Sequence, residues 1–257
     1  MNIFVAGGLW VAGAALAGGG IAYLVRRLGG GGDGEGRPAN NDAAGQVFTI
    51  VGGLHAVLVA FVLISLYDSV SAASQDARTE ADSLVAATWA ADALPAETKD
   101  RVHQLAVAYA RTVEDQEWPR LADGGEVPAT GWRQLDQMRQ AVAAAPTDGD
   151  WQIDRKTEAS NQLWAVYQAR QQRLADSGDG GVGAVVWFAL ILGSLITAIL
   201  LPNLFGGTRL AAHVIIVSTL AGTITLLLFA IHELQNPFSG GAKVPPEAFT
   251  SALERLA

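Results

Sequence analysis

The stretch Gln46–Leu94 constrains this chain more than any other. Its first half, QVFTIVGGLHAVLVAFVLISLY (Gln46–Tyr67), is apolar enough to lie in a bilayer. Its second half, DSVSAASQDARTEADSLVAATWAADAL (Asp68–Leu94), is charged and rich in alanine. No proline interrupts either half, and no glycine follows Gly53. A spanning helix needs about 20 apolar residues, so the first half is long enough to cross a membrane once. At about 1.5 Å per residue the whole stretch would reach roughly 74 Å, more than twice the hydrocarbon thickness. The pattern predicts one helix that leaves the membrane and continues into water.

Composition agrees. Mean hydropathy is +0.26, and charged residues make up 16% of the chain, against about 25% in soluble domains. The net charge of −8 gathers in the middle segment. No basic cluster rises above scattered Lys and Arg, which argues against a nucleic-acid partner. The absence of cysteine excludes disulfides, thiolate metal sites and cysteine nucleophiles.

Around that stretch the chain divides by pattern into four parts. Residues 1–69 read as a first transmembrane hairpin, with spans at about 3–25 and 46–67. Arg26 and Arg27 follow the first apolar run instead of preceding it, so that run reads as an uncleaved membrane helix and not as a secretory signal. Its glycines and alanines suit close helix packing in lipid. The glycine-rich connection Arg26–Asn41 has no core residues. No strand precedes it, so it is not a phosphate-cradling loop.

Residues 70–181 read as a soluble bundle of amphipathic helices. Val102, Leu105, Ala106, Tyr109 and Val113 mark one stripe, and Trp118-Pro119 is expected to end that helix. Trp132, Leu135, Met138 and Val142 mark a second stripe. Ala159, Leu163, Val166 and Leu174 mark a third, widened by Trp164 and Tyr167. The acidic residues Glu80, Asp82, Glu114, Asp115 and Glu117 read as a solvated face. Residues 182–233 form a second apolar hairpin, and 234–257 a tail with a short helix. The expected fold is therefore all-α. It is an integral membrane protein with four transmembrane helices in two hairpins and an inserted helical bundle.

Polar groups inside lipid are functional suspects, because burying them there is costly. On the second span these are Thr49 and His55, with Asn41 and Asp42 at its start and Asp68 at its exit. A stripe of small residues, including Gly52, Gly53 and Ala56, either admits another helix closely or lines the axis of a symmetric oligomer. His55 would titrate near neutral pH and could gate conduction. Four thin helices cannot enclose a wide pore, so conduction would need a homo-oligomer with this helix facing inward. There is no nucleophile elbow, no HExxH and no carboxylate pair on a membrane face. The reading is a non-enzyme with no catalytic residues, no metal site and no cofactor.

Several landmarks carry a family resemblance: Asn41-Asp42 before the second span, GGLHAVLVAF (Gly52–Phe61), the acidic exit helix with Glu80, YARTVEDQEWP (Tyr109–Pro119), and the closing NPFSG and VPPEAF (Asn236–Gly240, Val244–Phe249). In this order the chain resembles the bacterial membrane proteins that carry a bestrophin-like domain, a family of undefined function found in high-GC Gram-positive bacteria. The family often has a histidine before the Asn-Asp pair, where this chain has Asn40. The family's name implies likeness to oligomeric chloride channels.

The expectation is therefore a homo-oligomeric multi-pass protein of a bacterial plasma membrane, an ion channel with the second helix lining the path. Its partners would be the lipid bilayer, further copies of itself, and other membrane or envelope proteins. The excess of Arg in the short loops (Arg26, Arg27, Arg37, Arg209) places those loops in the cytoplasm and the bundle outside. Arg78, Arg170, Arg173 and Lys243 flank the membrane on the opposite side and count against this. The alternative is a non-conducting sensor or scaffold whose bundle binds a ligand or a protein partner.

Overall fold

The computed structural model describes residues 3–28, 41–179, 181–204 and 209–257. Asn40, most of the glycine-rich connection and the turn at 205–208 lie outside them. Among the described residues there are helices and no strands: α1 (Ile3–Leu28), α2 (Asn41–Ala91), α3 (Ala96–Thr112), α4 (Trp118–Ala122), α5 (Thr130–Ala144), α6 (Asp150–Asp179), α7 (Ala184–Leu195), α8 (Leu210–Leu234) and α9 (Glu247–Leu256). Two wide π-helical turns, Val113–Glu117 and Ile196–Leu200, continue α3 and α7. α1, α8 and residues 45–91 of α2 are long and apolar enough to cross a membrane, and the apolar run Ala184–Leu200 is shorter.

The chain forms two compact units, residues 1–66 with 182–235 and residues 67–181 with 236–257. In the first, α1 and α8 pack along small residues. A Cβ on Gly18 would stand 2.9 Å from Ala221 Cβ, and one on Gly19 would collide with the Ser218 hydroxyl. The glycines thus set how closely the two backbones approach, the packing expected of helices in lipid. Val59 and Leu66 of α2 join Leu190 of α7 and Ile231 of α8 in a second contact cluster.

The second unit has a continuous apolar core. Ala73, Ala77, Leu84, Ala87 and Ala91 of α2 meet the stripes of α3 and α5, and Ala159, Leu163 and Val166 of α6. The residues spaced for burial on α3 and α5 are buried, except Trp132, which is half-buried against the core. The tail completes this core. Phe238 stands edge-on to Trp118 at 5.2 Å, Phe249 and Ala252 are wholly buried, and the Trp118 indole N–H donates to the Val244 carbonyl at 3.0 Å. The Asn236 amide donates to Leu121 O at 3.0 Å, and the His103 ring nitrogen donates to Leu256 O at 2.7 Å. The closing NPFSG and VPPEAF motifs are therefore packing motifs of the bundle.

Three local expectations are corrected. Trp118-Pro119 does not end the helix that begins at Ala96. The π-turn carries the chain on, and Pro119 enters at the first turn of α4. Trp164 and Tyr167 do not widen a buried face, since they are 58% and 37% exposed. Glu80 and Glu117 are not on a solvated face, since both are wholly buried.

Candidate functional site

Two polar constellations stand out, one in each unit. The larger lies inside the bundle and consists of Glu80 from α2, Tyr109 from α3, Glu117 from the π-turn, and Arg170 and Arg173 from α6. All five side chains are 0% exposed. Arg170 grips Glu117 through both Nη atoms, at 2.9 and 2.7 Å. Arg173 grips Glu80 through Nε and Nη2, at 2.6 and 3.0 Å. Its Nη2 also donates to Glu117 Oε2 at 3.0 Å. The Tyr109 hydroxyl donates to Glu80 Oε1 at 2.5 Å and accepts from Arg170 Nη1 at 3.2 Å.

Helix geometry explains how five polar groups came to face one another. On α2, Glu80 falls in the run Ala73, Ala77, Glu80, Leu84, Ala87, Ala91, spaced by three or four residues and all nearly inaccessible. On α6, Arg170 and Arg173 continue the run Ala159, Leu163, Val166 in the same way. Such spacing keeps one face inward. The rings above and below are aromatic. The Arg170 guanidinium lies 4.6 Å from the Trp132 centroid, and that of Arg173 lies 5.5 Å from Trp118 and 5.7 Å from Phe249. Gly131 makes room, because a Cβ there would stand 2.6 Å from both Arg170 Nη2 and Glu117 Oε1.

The charges balance, two carboxylates against two guanidinium groups, and each of the four carboxylate oxygens accepts at least one bond. Burial, reinforced by the Glu80 charge, holds the Tyr109 phenol well above its ordinary value. It therefore stays a hydrogen-bond donor. Burial works against the charge on Arg173, but the Glu80 carboxylate more than offsets this and raises its pKa. Arg170 is raised in the same sense, its burial outweighed by Tyr109, Glu117 and Glu80. Bidentate, charge-assisted pairs of this kind fix geometry as well as charge. The acidic and basic groups are committed to each other, so the cluster orders the bundle instead of presenting a reagent.

The second constellation contains the residues singled out on α2. His55 is buried against α7: its Nε2 lies 3.1 Å from Ser194 Oγ, and Gly193 faces the ring so closely that a Cβ there would strike Nδ1. The Ser194 hydroxyl spends its only proton on Leu190 O at 2.6 Å, so the contact requires a protonated Nε2 donating to Ser194. Gly52 faces the same way, and a Cβ on it would lie 3.6 Å from Thr197 Cγ2.

Thr49, Gly53 and Ala56 instead lie on an open face of α2. Thr49 bonds back to Gly45 O at 2.9 Å, and a Cβ on Gly53 would touch nothing within 4 Å. Asp42 and Asp68 are exposed on the same helix. Asn41 opens α2, and its side chain lies outside the described residues. The small-residue stripe thus divides into a half turned to α7 and an uncovered half. In the hairpin partner, the His213 ring Nε2 lies 3.0 Å from Asn203 Oδ1. Among the described residues no group of three or more His, Asp or Glu could hold a metal ion.

Arg170 and Arg173, counted above as membrane-flanking charges, are instead sealed in the bundle and neutralised there. The signal that would have revealed the cluster was present: their positions continue the apolar stripe of α6, as Glu80 does on α2. Tyr109, Glu117 and Trp118 belong to the YARTVEDQEWP run that carried the family resemblance. The bestrophin-like domain model matches residues 12–249. No curated protein and no solved structure matches the chain.

Proposed function

Because this chain belongs to the bestrophin-like domain family, we propose that it is a homo-oligomeric ion channel whose α2 helices line the path. The family and the long apolar helices make it a membrane protein. The observation that carries the finer reading is the uncovered face of α2, where Thr49, Gly53 and Ala56 present small groups and one hydroxyl. A ring of such faces leaves space on its axis, whereas the subunit alone has too few helices to surround a pore. Asn41, Asp42 and Asp68 then stand near the two ends of the lining helix. His55 and Gly52 support it from behind, against α7.

In this reading the run Ala184–Leu200 is a fourth crossing. At about 1.5 Å per residue it reaches roughly 26 Å, close to a hydrocarbon core of about 30 Å. The Arg-bearing short loops lie in the cytoplasm of a bacterial cell and the bundle lies outside. The protein performs no catalysis, and its partners are lipid and its own copies.

Gly53→Phe tests the channel directly. A Cβ there has no neighbour within 4 Å, so the variant should fold and assemble while ion flux from liposomes falls at least tenfold. Flux equal to the wild type, or none from a verified wild-type oligomer, would overturn the reading.

A second reading has its own observation. An open aromatic cleft on the bundle, lined by Trp132, Trp164 and Tyr167, favours a sensor or scaffold whose bundle binds a ligand or a protein partner.

A further inference from the structure

We propose that the cleft between α5 and α6 binds the ring of a neutral saccharide. This names the ligand class for the second reading above and rests on it. The cleft holds about 420 Å³, within the range of about 300–1,000 Å³ usual for small-ligand sites. Its wall is a file of three aromatic rings: Trp164 stacks on Tyr167 at 5.0 Å and 7°, and Trp132 leans on Tyr167 at 5.1 Å. Its rim is polar, with Asp136, Arg139 and Ser160.

The chemistry of that lining selects among occupants. Aromatic faces attract cations, but Arg170 already lies over Trp132 and the charges beside the wall are paired, Arg139 with Asp136 and Arg170 with Glu117, so the cleft offers no net charge to select an ion of either sign. A purely apolar ligand would strip water from the rim without replacing its hydrogen bonds. A sugar ring meets both demands, with C–H faces for the aromatic wall and hydroxyls that donate and accept.

The rim is set up for such hydroxyls. Asp136 Oδ1 accepts from Arg139 Nε and Nη2 at 3.1 and 2.7 Å, and Oδ2 from the Gln140 amide at 2.6 Å. A carboxylate has about four lone-pair sites, so Asp136 is held in place with an acceptor to spare. The Nη1 amino group of Arg139 takes no part in these bonds. Ser160 donates to Lys156 O at 2.9 Å, leaving its oxygen as an acceptor. The rim thus offers two acceptors and a donor group around an apolar wall, an arrangement that matches a polyhydroxylated ring better than it matches any ion.

The test uses the full chain in lipid nanodiscs, so that no alkyl-glycoside detergent competes. Tryptophan fluorescence is followed while cellohexaose, chitohexaose, a proline-rich decapeptide or choline is added. Saturable binding of at least one oligosaccharide is expected, weakened about tenfold or more by Trp164→Ala and unchanged by Trp89→Ala. Oligosaccharide binding that ignores Trp164→Ala overturns the proposal. Binding of the peptide or choline through Trp164, with no saccharide bound, overturns the ligand class and leaves the second reading standing. If none of the probes binds through Trp164, the saccharide proposal falls.

Discussion

Glu117 serves two guanidinium groups with one carboxylate, and this sets what its replacement should do. Glu117→Gln keeps the shape but removes a charge that Arg170 and Arg173 both need at full burial. Breaking a buried pair from one side costs about 3–5 kcal/mol, because the remaining charge is left uncompensated. The expected outcome is a loss of that size in the unfolding free energy of the purified protein, read by denaturant titration. A change under about 1 kcal/mol would show that water reaches the cluster and screens it. Such a cluster was only half legible in the sequence. Acidic residues in a charged segment are usually solvated, and nothing local distinguishes Glu80 from Asp82. The distinction lies in phase: Glu80 is in step with Ala73, Ala77 and Leu84, whereas the side chain of Asp82 is 64% exposed.

Between Tyr109 and Glu117 the phase itself is altered. At about 100° per residue, Glu117 would stand roughly 80° from Tyr109 in a regular α-helix, and Gln116 would take the inward place. The π-turn at Val113–Glu117 acts as one extra residue and brings Glu117 to within roughly 20° of Tyr109. This is why regular spacing could not find Glu117, and why Trp118-Pro119 read as an end. The turn makes an unusual prediction. Deleting Gln116, which is exposed, should restore a regular helix and leave the carboxylate inward. The carboxylate pairs should survive, but Pro119 would then stand inside a regular helix, so the deletion should cost about 3 kcal/mol in the same titration, no more than Glu117→Gln. A larger loss would mean that the wide turn is needed for itself. The stripes of α3 and α5 were legible, because each keeps one period along its length.

For the whole molecule, the long apolar helices were legible from hydropathy, and the helical character of the middle segment from the spacing of its apolar residues. Which face of α2 stays uncovered was not, because both faces are apolar or small and only packing against α7 separates them. Orientation can be read directly, since the chain has no cysteine of its own. Cysteine at Asp148, an exposed position, should react with an impermeant thiol reagent in intact cells. Cysteine at Gly32 should react only after lysis. The opposite pattern would invert the proposed topology. The division of the chain has a further consequence, one of timing. The bundle is built from residues 67–181 and 236–257, with the second pair of apolar helices synthesised in between. Arg173 and Trp118 are made long before Phe249 and Phe238, the rings that cover them. At about 5–20 residues per second, the core stands open for several seconds on every ribosome. During that interval a nascent chain exposes its aromatic interior and its charge cluster to whatever chaperone or protease is near.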